Sequence, residues 1–352
     1  MHLFVDISSH GFGHLAITGP VLNALAEIVP DLQLTIRTRL PTGKLQQRIH
    51  LPFKQITGSS DFGFEMIDAT HINYQASSQA YREAHINWDD RVKQEATFLE
   101  QLQPDMVLSN VSYLPLAGAK LAGIPAISIC SLNWADLFLH FFGHHVWANE
   151  IHQQMLDAYR SAQTFIRITP GMPMPQLSQT ATVGPIAKLG KKHDIGLGAD
   201  KAILVALGGV SHHLPIDCWP RLPGIRWLVA RDWQITHPDA INFESFGLNF
   251  TDLLCSVDAI VTKPGYGTFT EAACNGTPVI YQRRNDWPEQ DCLIKWLHQH
   301  VAALEIPEQS LLEGKLGSSL ERLWQQAKPP APVPSGAESA AKIIKKLLAL
   351  HF

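Results

Sequence analysis

Short apolar runs alternate along this chain with longer stretches whose apolar positions recur at helical spacing. Leu3 to Ile7 predicts a buried strand. The glycine- and histidine-bearing segment Ser8 to Gly19 predicts a loop, after which Thr18 as cap and Pro20 in the first turn open a helix to about Ile28. Strands are expected at Leu32 to Arg37, Met106 to Ser109, Ala126 to Cys130 and Phe165 to Thr169, with helices at Asp89 to Leu102 and Leu114 to Leu121. Residues 40–85 carry a weaker pattern and are assigned only coarsely.

Prolines and glycines accumulate between Pro170 and Lys201, and the alternation then resumes. Strands are expected at Ile203 to Leu207, Trp227 to Ala230, Ala259 to Thr262, Val279 to Tyr281 and Ala302 to Glu305. Helices fit Phe250 to Ser256, Thr268 to Asn275, Glu289 to His300, Glu308 to Gln326 and Ala337 to Leu350, the last set apart by the proline-rich stretch 328–336. Strand–helix alternation of this kind predicts an α/β protein with two Rossmann-like, doubly wound domains, and such sheets bind ligands beyond the carboxyl ends of their strands. The expected division is 1–169 for a first Rossmann-like domain, 170–200 for a linker, 201–327 for a second one, and 328–352 for the proline-rich linker and final helix.

Composition adds little to that picture beyond exclusions. The 352 residues are 45% hydrophobic and 17% charged with net charge −4, which fits a soluble globular chain and gives no general basic footprint for nucleic acid. Five cysteines without a CxxC pair fit a reduced, cytoplasmic setting, and no apolar run is long enough to span a membrane.

The candidate chemistry centres on VTKPGYGTFTEAACNGTPVIYQRRNDWPEQ, residues 261–290. A strand runs into a turn with Gly265 and Gly267 and then a helix, so free N–H groups and a partial positive charge are offered where glycine permits positive φ and close backbone approach. That arrangement suits a phosphate. A weaker copy lies at Gly208-Gly209 after the strand at 203–207. Lys263 either adds charge there or is simply solvated, and Thr268-x-x-Glu271 is also the pattern of a capping box.

These motifs, together with SSHGFGH (8–14), VLSNVSYLPLAGAKLAGIPAISI (107–129), PMP (173–175) and DLLCSVDAIVTKPGYGTFTEAACNGTPVIYQRR (252–284), resemble the GT-B glycosyltransferases. Within them the sequence is most similar to the glycosyltransferase-like half of plant L-arabinokinase and its bacterial relatives. No counterpart of the sugar-kinase half is present in the sequence, so kinase activity is not expected. The resemblance implies two domains facing a central cleft and a metal-independent enzyme with no bound cofactor. Its cosubstrate would be a nucleotide-diphosphate sugar, a UDP-sugar first among them, used with inversion on an unidentified acceptor, either a small molecule or a lipid-linked glycan.

By the same resemblance, Gly209, Lys263, Gly265, Gly267 and Thr268 would contact the donor diphosphate, Glu271 the ribose, and Glu289 and Gln290 the donor sugar. Arg283 or Arg284 could meet a phosphate or a donor carboxylate, and the base would be read near Phe246 to Phe250. His14 matches the catalytic base, with His10 and Gly13 on the acceptor side. A histidine in a glycine loop can also just bond neighbouring backbone. Plant relatives pair the base with an aspartate where this chain has Asn110, which orients an imidazole without stabilising imidazolium as a carboxylate does. Either the acceptor is acidic enough to need less help, or another carboxylate such as Asp136 substitutes, or His14 is not the base.

The stretch 137–147 carries His140, His144 and His145 among aromatics. It is read as core or acceptor lining rather than a metal site, with peripheral membrane contact left open. Two other functions fit the same motifs: a UDP-sugar 2-epimerase, and a nucleotide-sugar sensor without turnover.

Overall fold

The computed structural model describes residues 1–68, 70–208 and 214–350. They form two compact units. The first comprises Met1–Met66, Ile72–Ile186 and the segment from Ser335 onward; the second comprises Ile67–His71 and Ala187–Pro334.

In the first unit the strands are β1 (His2–Ile7), β2 (Gln33–Arg37), β3 (Phe53–Ile56), β4 (Met106–Asn110), β5 (Ala126–Cys130), β6 (Phe165–Ile168) and β7 (Thr180–Val183). All pairings are parallel, in the order β3-β2-β1-β4-β5-β6-β7. The helices are α1 (Phe12–Ile28), α2 (Thr42–Gln46), α3 (Tyr74–Ile86), α4 (Trp88–Leu102), α5 (Leu114–Ala122), α6 (Trp134–Phe142) and α7 (Ala148–Arg160). Leu3, Phe4, Val5, Val107, Leu108, Ile127 and Ile129 are fully buried, because a parallel sheet covered on both faces requires continuous apolar strands.

The second unit repeats the plan with β8 (Lys201–Val205), β9 (Ile225–Val229), β10 (Ala240–Asn242), β11 (Ala259–Thr262), β12 (Val279–Tyr281) and β13 (Ala303–Glu305), ordered β10-β9-β8-β11-β12-β13 and again parallel. Its helices are α8 (Phe250–Ser256), α9 (Tyr266–Asn275), α10 (Gln290–His300), α11 (Glu308–Leu312) and α12 (Gly317–Trp324). Ile203, Val205, Trp227, Val261, Ile280, Leu320 and Leu323 share its core. In both sheets the winding direction reverses beside the first strand, between β1 and β4 and between β8 and β11. Those switch points are where doubly wound sheets take ligands.

Four expectations are corrected. The first unit does not end at Thr169: β7 adds a strand beside β6, and the boundary falls after Ile186. The final helix, α13 (Gly336–Leu348), is not a detached appendage. It packs on α1 with Ala340, Ala341, Ile344 and Leu348 buried, and bare Gly336 allows the turn against Gly184. Helix α1 begins at Phe12 on extended Gly11, with Thr18 and Pro20 inside it; burial of Leu15, Ile17, Val21 and Leu22 outweighs the bond lost at proline. The helix expected over 308–326 breaks at Gly314, which sits at φ +65° with the Trp219 ring where a side chain would go.

One ion cluster braces the first sheet. Arg37 Nε donates to Asp6 at 2.5 Å, and its two terminal nitrogens donate to Glu95 of α4 at 2.9 and 2.6 Å. The guanidinium lies 5.2 Å from the ring centres of both Phe4 and Phe98. Arg37→Met should leave two buried carboxylates uncompensated and destabilise the first unit by about 3–5 kcal/mol, read as a lowered urea midpoint. An unchanged midpoint would mean that the cluster contributes nothing to stability.

Candidate functional site

At the first switch point, β1 delivers the chain through Ser8 and the glycine-bearing turn into α1. His14 therefore stands in the first turn of that helix rather than in a loop. A side chain at Gly11 or Gly13 would meet nothing within 4 Å, so the backbone is bare there. Asn110 ends β4, in register with Ile7.

His14 Nδ1 lies 2.9 Å from Asn110 Oδ1. The Asn110 amide nitrogen donates to the His14 carbonyl at 3.1 Å and to Thr18 Oγ1 at 2.6 Å, while the Thr18 hydroxyl donates to the His14 carbonyl at 2.8 Å. These bonds fix which end of the amide faces the ring. Its oxygen can only accept, so Nδ1 carries the hydrogen and Nε2 holds the lone pair. Burial lowers the imidazole pKa to about 4 against the raising effect of the Asn110 bond, so the ring is neutral at pH 7.

Trp134 packs edge-on against both His14 and His10, with ring centres 5.9 and 5.2 Å apart. Its indole N–H donates to Asp61 at 2.7 Å. Asp61 is a carboxylate that the sequence reading missed. Desolvation and repulsion from Asp6 push it up to about 6, opposed by its bonds to Trp134 and Ser8. A signal was present in SSDFGF (59–64), a carboxylate placed between polar and aromatic residues after a strand. Asp136 does not take this place: it is tied to Asn133, the cap of α6, by bonds of 2.8 and 2.9 Å. In the stretch 137–147, Leu137, Phe138, Phe141 and Phe142 are core, whereas His140, His144 and His145 are exposed.

At the second switch point Lys263 follows β11, and Gly208 follows β8 at φ +92°. Gly209 lies outside the described residues. Gly265 caps α9 in extended conformation at φ −166°, and Gly267 is within the helix. Neither adopts the positive φ expected of it. What Gly265 supplies is bare backbone at a helix N-terminus, since a side chain there would approach nothing closer than the Lys263 carbonyl at 4.0 Å. Thr268 lies inside α9 and is not its cap, so the capping-box alternative for Thr268 and Glu271 does not hold. Glu271 is buried on that helix.

Burial lowers the Lys263 amine to about 7, helped by the positive charge of Arg284 and opposed by Glu289. Glu289 accepts from the Trp287 indole at 3.1 Å. Gln290 grips the main chain of Arg284, accepting from its N–H at 3.0 Å and donating to its carbonyl at 3.1 Å. The pair expected at a donor sugar is thus tied into the loop after β12. The base-reading candidate near Phe246 to Phe250 is a half-buried turn leading into α8, capped by Asn249.

Two Rossmann-type sheets of this order, spanned from end to end by one chain, match solved structures. The calicheamicin glycosyltransferase CalG4 superposes with TM-score 0.65 at 14% identity, over 99% of this chain and 94% of that one. The fold is GT-B. A UDP complex of UGT89C1 from Arabidopsis thaliana shares it with TM-score 0.57 at 14% identity, over 99% and 94% of the two chains. In sequence, the chain is 23% identical over 334 residues to an L-arabinokinase of Arabidopsis thaliana, covering 90% of this chain and 31% of that protein, so it spans about a third of the relative's length. No family model matches. Among the described residues, no helix of this GT-B chain is long and apolar enough to cross a membrane.

Replacing Asn110 by Asp places a negative charge beside His14 Nδ1. The imidazole titration, followed by NMR, should then rise from about 4 by about 1–3 units. An unmoved titration would show that the side chain at 110 does not lie against the ring.

Proposed function

We propose that the chain transfers a glycosyl group from a nucleotide-diphosphate sugar, a UDP-sugar first among them, to an acceptor hydroxyl with inversion at the anomeric carbon. The observation that carries this reading is the His14–Asn110 bond at a switch point of a GT-B sheet. It presents a neutral imidazole whose Nε2 can accept a proton. The acceptor oxygen attacks the anomeric carbon as His14 takes its proton, and the diphosphate leaves from the same carbon. Lys263, the bare N-terminal turn of α9 and Thr268 would stabilise the departing charge, and Glu271 would hold the ribose hydroxyls. The UDP complex of UGT89C1, on the same fold, supports a uridine donor.

Asn110 cannot compensate the imidazolium that forms, and Asp61, joined to the histidines through Trp134, supplies a carboxylate to this cluster. Because its pKa is raised to about 6, it is protonated below that pH and charged above it. Activity should therefore rise as pH increases through about 6, and this limb should vanish in Asp61→Asn; a limb that survives would remove Asp61 from the mechanism.

Thermal stabilisation across UDP, dTDP, GDP and their sugars tests the donor reading directly, since a ligand of the folded state raises its stability by mass action. A selective shift with UDP compounds, lost in Glu271→Ala, is the expected result, and no shift with any nucleotide would sink it. With a donor and acceptor in hand, His14→Ala should lower turnover by about 10²–10⁴-fold while donor affinity stays the same. Conversion of the donor in buffer without any acceptor would favour epimerisation instead.

A further inference from the structure

Arg283 and Arg284 are neighbours in sequence and opposites in setting. Arg283 is half-exposed and paired, to Asp291 at 2.7 Å and to Glu305 at 3.0 Å. Arg284 is only 8% exposed, and its Nε has no hydrogen-bond partner among the described residues. Such a group is costly to bury, so its retention asks for a ligand.

The surroundings hold that guanidinium in one place. Its central carbon lies 3.8 Å over the Trp287 ring, Trp287 is fixed by its bond to Glu289, and Gln290 clamps the Arg284 backbone from both sides. Two carboxylates act on it, Glu289 and Asp68. Asp68, however, already accepts from the Thr70 N–H and hydroxyl and the His71 N–H at 2.7 to 2.9 Å. Lys263 adds a second cation close enough to be depressed by the first. The two acids balance the charge of the cluster, and what the Arg284 guanidinium still lacks is an acceptor oxygen for its Nε.

Position narrows which anion. Lys263 and the bare turn at Gly265 follow β11, and Arg284 follows β12, the adjacent strand, roughly 5 Å across the sheet. On the donor reading above, on which this inference rests, the diphosphate occupies the first position and the attached sugar the second, beside Glu289. We infer that Arg284 binds a carboxylate on the donor sugar, so that the donor class is a nucleotide-diphosphate uronic acid. A planar guanidinium stacked on an indole matches a carboxylate through two parallel N–H bonds, a geometry that a neutral hydroxymethyl group cannot reproduce.

Isothermal titration of the whole chain with UDP, UDP-glucose, UDP-galactose, UDP-glucuronate and UDP-galacturonate tests this. One uronate should bind at least about tenfold more tightly than its hexose counterpart, as expected for a charge-assisted bidentate pair. In Arg284→Gln that ratio should fall to about one while UDP affinity changes by less than about twofold. Equal or tighter binding of the hexose form by the unaltered chain would overturn the inference and leave the donor reading standing. A loss of UDP affinity in Arg284→Gln as large as the loss for the uronate would make the arginine a diphosphate ligand and overturn it equally. Absence of binding by all five ligands would overturn the uridine part of the donor reading and this inference with it. Should Arg284→Gln fail to fold, the uronate-to-hexose ratio of the unaltered chain decides, together with Arg284→Lys, which keeps the charge but not the fork and should lose most of the preference.

Discussion

Parallel pairing places constraints on everything else in this chain. Parallel strands must be joined by crossovers, and in each sheet the crossovers wind one way from the first strand and then the other. Beside that strand the winding reverses, at the loops after β1 and β4 in the first sheet and after β8 and β11 in the second. His14 and Asn110 come from the first such pair of loops and Lys263 and Gly265 from the second. These polar groups sit at the ends of strands that are largely apolar. Chemistry is confined to the places where the core stops.

Within those places, burial rather than charge sets the character of each group. The His14 ring is neutral because it is desolvated, and the Asn110 amide decides its tautomer because its nitrogen is already engaged by the His14 carbonyl and Thr18. A carboxylate at Asn110 would favour imidazolium, whereas the amide favours the neutral ring. Asp61 and Lys263 are shifted in the same way, the acid upward and the amine downward, each toward its neutral form. Groups poised near neutrality are suited to accept or release charge when a substrate arrives. Arg284 differs in staying charged, so its burial asks for a counter-ion rather than a proton.

The sequence by itself determined the two α/β units, most strand positions, the glycine turn before α9 and the histidine after β1. These rest on local signals: apolar runs, periodicity and turn residues act over a few positions and survive without knowledge of their neighbours. Tertiary structure alone decided the rest. Pro20 sits inside α1 because burial of that helix against the sheet outweighs the bond it removes, and this moved His14 from a loop to a helix turn. Thr268 and Glu271 fit a capping pattern that the real start at Tyr266 makes irrelevant. Asp61 meets the histidines through Trp134, which lies 73 residues away in sequence. Arg283 and Arg284 are the same residue in the same loop, and only packing makes one a surface ion-pair partner and the other a buried cation over Trp287. Pairings of this kind depend on which strands become neighbours, and that is settled by the burial of the whole core rather than by any short stretch of sequence.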